Sequence, residues 1–153
     1  MKDELFEEVF HRYKEMVYRV AFTYLKNEAD ALDIVQNTFI KLLKQDGFND
    51  EEHLKRWLLR VTINACKNNL KSYWNLKTTV FHEEYHYHDE KSIELEELVF
   101  KLVPKYKGVI YLYYYHGYKV KEIAEILKIS EASVKKRLAR GREKLKIELE
   151  MTK

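Results

Sequence analysis

The stretch 118–146, YKVKEIAEILKISEASVKKRLARGREKLK, holds two helical patterns separated by a short turn. Ile123, Ala124 and Leu127 supply an apolar face for the first helix. Ile129 is the apolar residue within the turn, and Ser130 is a good N-cap for the second helix. Val134, Leu138, Gly141 and Leu145 recur at i, i+4, i+7 and i+11, so one stripe of the second helix packs inward. Lys135, Lys136, Arg137, Arg140 and Arg142 fall largely off that stripe. Between positions 119 and 146 there are ten Lys/Arg against four Glu, a local balance of +6 in a chain whose total is +3. A small helix after a short turn, with cations clustered toward its N-terminal half, suits the DNA major groove. The stretch reads as a helix-turn-helix.

The rest of the composition bounds the class. A length of 153 residues accommodates one ordinary domain or two small ones, and 46% hydrophobic residues are enough for packed cores. One cysteine, Cys66, rules out an intramolecular disulfide and a cysteine-rich zinc site, as suits a reducing compartment. The first residues, MKDELFEEVF, are too acidic and too short in apolar run for a signal peptide, and no stretch approaches the roughly 20 apolar residues of a spanning helix. The expectation is a soluble, cytoplasmic protein with no integral membrane segment.

Helical spacing dominates from end to end, and the fold is expected to be all-α. Leu5, Val9, Tyr13, Val17, Val20 and Tyr24 space a helix over roughly 3–25. Asn27 caps a second, with Asp30 in the capping-box position. Leu32, Val35, Phe39, Leu42 and Leu43 are its expected buried face, and Gly47 its expected end. A third runs from about 51 to 74. Ser92 caps a fourth, ending near Val103, and Pro104 starts a fifth that Gly117 closes.

Charge changes sign between the halves. No acidic residue occurs from 53 to 82, whereas 83–97 holds seven acids and one lysine. Apolar periodicity lapses over 75–91, NLKTTVFHEEYHYHDEK. The organisation expected is therefore two small helical domains, 1–74 and 92–153, joined by a short acidic linker over 75–91. Extended at about 3.3 Å per residue, that linker reaches roughly 55 Å.

The third helix offers a second cationic face. Arg56, Arg60, Asn64, Lys67 and Lys71 fall within about 80° on a 100°-per-residue wheel. Leu54, Leu58, Val61 and Ala65 take the neighbouring face, with Trp57 at the border and Tyr73 and Trp74 at the end. Cations hold phosphates, and aromatic rings accept unstacked bases.

Taken together, three stretches resemble the bacterial RNA polymerase sigma factors of the small extracytoplasmic-function type. ADALDIVQNTFIKLLK (29–44) is similar to that family's Asp-x-x-Gln-x-x-Phe helix. KRWLLRVTINACKNNL (55–70) is similar to its Trp-Leu-x-x-Ile-x-x-Asn promoter-reading helix. The stretch 102–146, LVPKYKGVIYLYYYHG followed by the helix-turn-helix, is the third. They stand in the family's order and cover most of the chain.

The resemblance implies roles. Asp33, Gln36 and Asn37 would meet the clamp helices of core RNA polymerase, Asn37 standing where relatives usually have Glu. The loop from 48 to 55 would help separate the strands and hold a flipped base of the −10 element. Arg56, Trp57, Arg60, Asn64, Lys67 and Asn68 would contact that element. Ser130, Glu131, Ala132, Ser133, Lys135, Lys136, Arg137 and Arg140 would enter the major groove at the −35 element. Ala132 and Ser133 stand where many relatives have Gly-Thr. Gly141 replaces a frequent alanine at about 1 kcal/mol of helix propensity. The expected partners are core RNA polymerase, promoter DNA and an anti-sigma factor, with no small-molecule substrate. The two elements lie about two duplex turns apart, roughly 70 Å, a span for two tethered domains rather than one.

Other chemistries find little footing. The histidine and acid cluster HEEYHYH (82–88) has metal-ligand residue types but no helical framework, so no metal site and no cofactor are expected. The sequence has no Gly-rich phosphate loop, no nucleophile elbow and no paired carboxylates at the spacing a catalytic site would need, so no catalytic residue is assigned. Two other functions fit the helix-turn-helix: a stand-alone regulator binding a palindrome, and an interaction module that keeps the fold without binding DNA. Tight palindrome binding without polymerase would mark the first, and loss of the basic faces the second.

Overall fold

The computed structural model describes residues 2–75, 99 and 102–151, with side chains described at 2–71, 99 and 102–146. The described residues form six α-helices and no strand, as the periodicities predict. The chain divides into two compact units, Met1–Tyr85 and His86–Lys153. The expected linker beyond Asn75, the HEEYHYH cluster, the side chains of Tyr73 and Trp74, and most of the helix expected after Ser92 lie outside the described residues.

In the first unit, α1 (Asp3–Leu25), α2 (Glu28–Leu43) and α3 (Glu51–Asn75) all pack on one another. Val9, Tyr13, Val17, Val20, Ala21 and Tyr24 form the inward stripe of α1, and Asp3 and Glu4 favour its N-terminal dipole. Asn27 caps α2 as expected, its side chain accepting from the Asp30 N–H at 2.9 Å. The shared core joins Val9, Tyr13 and Val17 to Val35, Phe39 and Leu42 of α2 and to Leu54 and Leu58 of α3. Leu42 and Leu58 are fully buried, so truncating either to alanine costs about 2–5 kcal/mol.

Four expectations for this unit need correction. Leu5 is exposed, because Phe6 and Phe10 occupy the space against Phe39 instead, Phe10 at 4.9 Å between ring centroids. Leu32 and Leu43 are 52% and 43% exposed: the buried face of α2 is Ala31, Ile34, Val35, Thr38, Phe39 and Leu42, about 100° away around the helix. α2 ends at Leu43, four residues before Gly47. On α3 the buried residues are Leu54, Leu58, Leu59, Thr62, Ile63 and Cys66, while Val61 and Ala65 are half-buried. Packing between two partner helices turns α3 further than hydrophobic spacing alone suggests.

The second unit packs α4 (Pro104–Tyr114), α5 (Val120–Leu127) and α6 (Glu131–Met151) around Val109, Ile110, Leu112, Ile123, Ile126, Val134 and Leu138. Pro104 begins α4 as expected, and Val103 before it is extended at φ −66°, ψ 151°, where a residue preceding proline belongs. α4 buries Lys107, Gly108, Val109, Ile110, Tyr111 and Leu112, while Lys105 and Tyr114 at its two ends are exposed. Gly117, at φ +68°, turns the chain after α4, and the Tyr118 N–H returns to the Leu112 carbonyl at 3.1 Å.

Candidate nucleic-acid interface

The helix-turn-helix is built from its turn. Lys128 takes the left-handed conformation, φ 56°, which brings the Ile129 N–H back to the Ala124 carbonyl at 3.1 Å. This is the bonding of a Schellman C-cap, with a lysine where glycine is usual. Ser130 then caps α6: its hydroxyl oxygen accepts from the Ser133 N–H at 3.1 Å, and its carbonyl from the Val134 N–H. At the other end of α5 the Glu122 carboxylate accepts from the Lys119 N–H at 2.9 Å. Val134, Leu138, Gly141 and Leu145 are all buried, as their spacing predicts.

That inward stripe sorts the cations of α6. Ala132, Ser133, Lys136 and Arg140 lie within about 100° opposite it, and Arg137 borders them half-buried. Glu131 is exposed in the first turn. Lys135 is exposed but lies about 90° from the outward centre. Arg142 points elsewhere: its Nε donates to Tyr114 Oη at 2.7 Å, and its guanidinium lies over the Tyr113 and Tyr114 rings, 5.1 and 5.7 Å from their centroids. α6 therefore presents a compact basic outer face, while Arg142 secures it to α4.

α3 presents the second face. Its stripe of Arg56, Arg60, Asn64, Lys67 and Lys71 is centred about 150° from the buried residues. Asn64, Asn68 and Lys71 are exposed, while Arg56, Trp57, Arg60 and Lys67 are half-buried. The correction to the buried face sharpens this stripe, because it places the cations opposite the core rather than beside it.

The approach to α3 is tightly organised. Asp50 caps it, accepting from the His53 N–H at 2.7 Å, and His53 Nδ1 in turn accepts from the Asn49 N–H at 3.1 Å. Phe48 packs at 5.1 Å from His53 and 5.6 Å from Trp57 between ring centroids. Of the two acids in the first turn of α3, Glu52 accepts from Arg56 Nε at 3.2 Å. Glu51 accepts from the Tyr13 hydroxyl at 2.6 Å and pairs with Arg12. The Tyr13 and Arg12 hydrogen bonds hold the Glu51 carboxyl below the usual carboxylate range. Burial first, then the bond to Glu51, pushes the Tyr13 phenol up to about 12.

Asp33, Gln36 and Asn37 are exposed on α2. Beside them runs an apolar strip that the spacing did not bring out: Leu32, Ile40 (45% exposed) and Leu43 cluster with Gln36 within about 80°. One signal was present. α2 has more apolar residues than one buried face can hold, and the surplus falls on a second face at helical spacing. No helix among the described residues is long and apolar enough to cross a membrane.

The described residues thus carry a basic helix-turn-helix and a separate basic helix with an aromatic border, each backed by its own core. Residues 9–75 match the model of sigma-70 region 2, and residues 92–145 match that of sigma-70, region 4. The chain is 32% identical to the RNA polymerase sigma factor SigV of Bacillus subtilis (strain 168) over 146 residues, 90% of this chain and 86% of that one. It is 28% identical to the ECF RNA polymerase sigma factor SigW of the same organism, covering 95% and 89% of the two chains. Its fold is similar to that of the sigma factor RpoE, solved in complex with the anti-sigma factor NepR from Bartonella quintana. The TM-score is 0.78, with 21% identity, and the match covers 97% of this chain and 98% of that one. The chain belongs to the sigma-70 family as an extracytoplasmic-function sigma factor, which directs RNA polymerase to promoters in transcription initiation.

Proposed function

We propose a division of labour along the chain in which residues 1–74 bind core RNA polymerase and the −10 element, 92–153 bind the −35 element, and 75–91 tether the two. Core polymerase meets α2 at Asp33, Gln36 and Asn37, beside the exposed Leu32, Ile40 and Leu43. Arg56, Trp57, Arg60, Asn64, Lys67 and Asn68 engage the −10 element and assist its opening. Easily unstacked pyrimidine–purine steps favour that opening. Glu131, Ala132, Ser133, Lys136, Arg137 and Arg140 enter the major groove at the −35 element, with Ser130 shaping the start of α6 and Lys135 reaching the backbone from the flank. Phosphate contacts position the factor, and a few base contacts select the promoter.

The observation that carries this reading is the pairing of two basic helix faces with two cores, within the matched regions 2 and 4 and in that order. The factor has no chemistry of its own in this reading. It acts in the cytoplasm, where the polymerase is, and an anti-sigma factor restrains it. Support for that last partner comes from the solved neighbour, itself a complex with an anti-sigma factor.

Reconstitution with core polymerase on a promoter library tests the reading. Asp33→Arg or Gln36→Ala is expected to weaken core binding and leave the fold intact. Arg137→Ala is expected to spare core binding and weaken −35 recognition. Loss of the same step by both classes of variant would refute the division. Tight palindrome binding by the protein alone, with no promoter-specific transcript, would restore the stand-alone regulator.

A further inference from the structure

Position 53 is the third residue of α3 after the Asp50 cap, where a glutamate or glutamine commonly reaches back to a backbone N–H. His53 does this with its ring. Its backbone N–H donates to Asp50 Oδ1 at 2.7 Å while its Nδ1 accepts from the Asn49 N–H at 3.1 Å. The same ring lies 5.1 Å from Phe48, edge-on, and Phe48 lies 5.6 Å from Trp57. One side chain therefore fixes both the backbone at Asn49 and the aromatic ring that precedes it.

We propose that His53 is a positioning residue for strand opening: by accepting from Asn49 it holds residues 48–50, ahead of α3, in the shape that receives an unstacked base, with Phe48 kept against Trp57. This rests on the −10 role proposed above for the first unit. Its physical logic is preorganisation. A loop already shaped for a single strand spends less ordering free energy when the duplex opens.

The test separates acceptor from ring. His53→Asn places an oxygen near the Nδ1 position without a ring, and His53→Phe keeps a ring without an acceptor. Each full-length variant is assembled with core polymerase, and opening is followed by 2-aminopurine fluorescence at the −10 element of a duplex promoter. His53→Phe is expected to open the promoter about fivefold more slowly, the loss of one hydrogen bond. His53→Asn is expected to stay within about twofold of the parent protein, on the same scale. Both should bind core normally, and on a promoter mismatched over the −10 element the His53→Phe defect should disappear. Hydrogen exchange of the Asn49 amide in the isolated protein should quicken in His53→Phe alone. Equal opening by all three proteins, or a defect that follows the ring rather than the acceptor, overturns the proposal. Failure of the parent protein to open any promoter with core polymerase overturns the −10 reading itself, and the positioning role falls with it.

Discussion

The Tyr13 hydroxyl donates to Glu51 Oε1 across 2.6 Å, tying the middle of α1 to the first turn of α3. Arg12 pairs with the same carboxylate, so two neighbouring residues of α1 hold the start of the helix that carries one basic face. The two helices are thereby joined where α3 begins, next to the Phe48–Trp57 contact.

This link makes stability depend on pH at both extremes. Tyr13 has its folded pKa raised from 10.0 to about 12, so its contribution is complete below 10 and disappears as pH climbs through about 12. Glu51 is shifted the other way, so its contribution is complete above its ordinary value of 4.5 and is lost as pH falls through the lowered folded value. Tyr13→Phe should lower unfolding free energy at neutral pH by about 1 kcal/mol and flatten the loss between pH 10 and 12, measured by urea denaturation across pH.

Gly141 sits where α6 passes closest to α4. A methyl group there would lie 2.8 Å from Ile110 Cγ1 and 2.9 Å from its Cδ1, and Ile110 is itself buried. Gly141→Ala gains about 1 kcal/mol of helix propensity, but overpacking costs about 1–3 kcal/mol, so net destabilisation is expected. In an Ile110→Val background the same change should cost less. A thermal-unfolding double-mutant cycle without that coupling would show that the close approach does not matter.

Lys128 holds a left-handed conformation at φ 56° in the turn of the helix-turn-helix. Lys128→Gly should relieve that strain and stabilise the unit by about 0.5–1 kcal/mol, raising its unfolding midpoint by roughly 4 °C. Calorimetry checks this, and a lower midpoint would contradict it.

On α2, Leu32 and Ile40 are 52% and 45% exposed. Leu32→Glu and Ile40→Glu should therefore change stability by less than about 0.5 kcal/mol. If the strip contributes to polymerase docking, as proposed, each should weaken core binding by about tenfold, a value typical of central apolar contacts. Fluorescence anisotropy with labelled protein measures it; unchanged affinity would remove the strip from the interface.

Much of the fold was legible because it is local. The Asn27 and Ser130 caps, Pro104 at the start of α4 and the inward stripe Val134–Leu138–Gly141–Leu145 rest on contacts three or four residues apart, which spacing encodes directly. The cationic stripe of α3 could be drawn on a wheel for the same reason. Its orientation could not. Leu59, Ile63 and Cys66 are buried because α1 and α2 lie over them, and no periodicity within α3 records where those neighbours pass. Leu32 and Leu43 were misplaced likewise: an apolar residue states a preference for burial, and only packing decides which of two apolar faces obtains it.

The sequence by itself determined the all-α fold, the helix-turn-helix, the two basic helices and the family, since each rests on residue type at short spacing. Tertiary structure alone decided which cations face outward and which are committed. Arg142 is bound to Tyr114, 28 residues away, and Glu51 to Tyr13, 38 residues away. It also decided that Gly141 is needed for the approach of Ile110. Such pairings depend on how separate helices come together, and helix packing is set by the joint fit of many side chains rather than by any one stretch of chain.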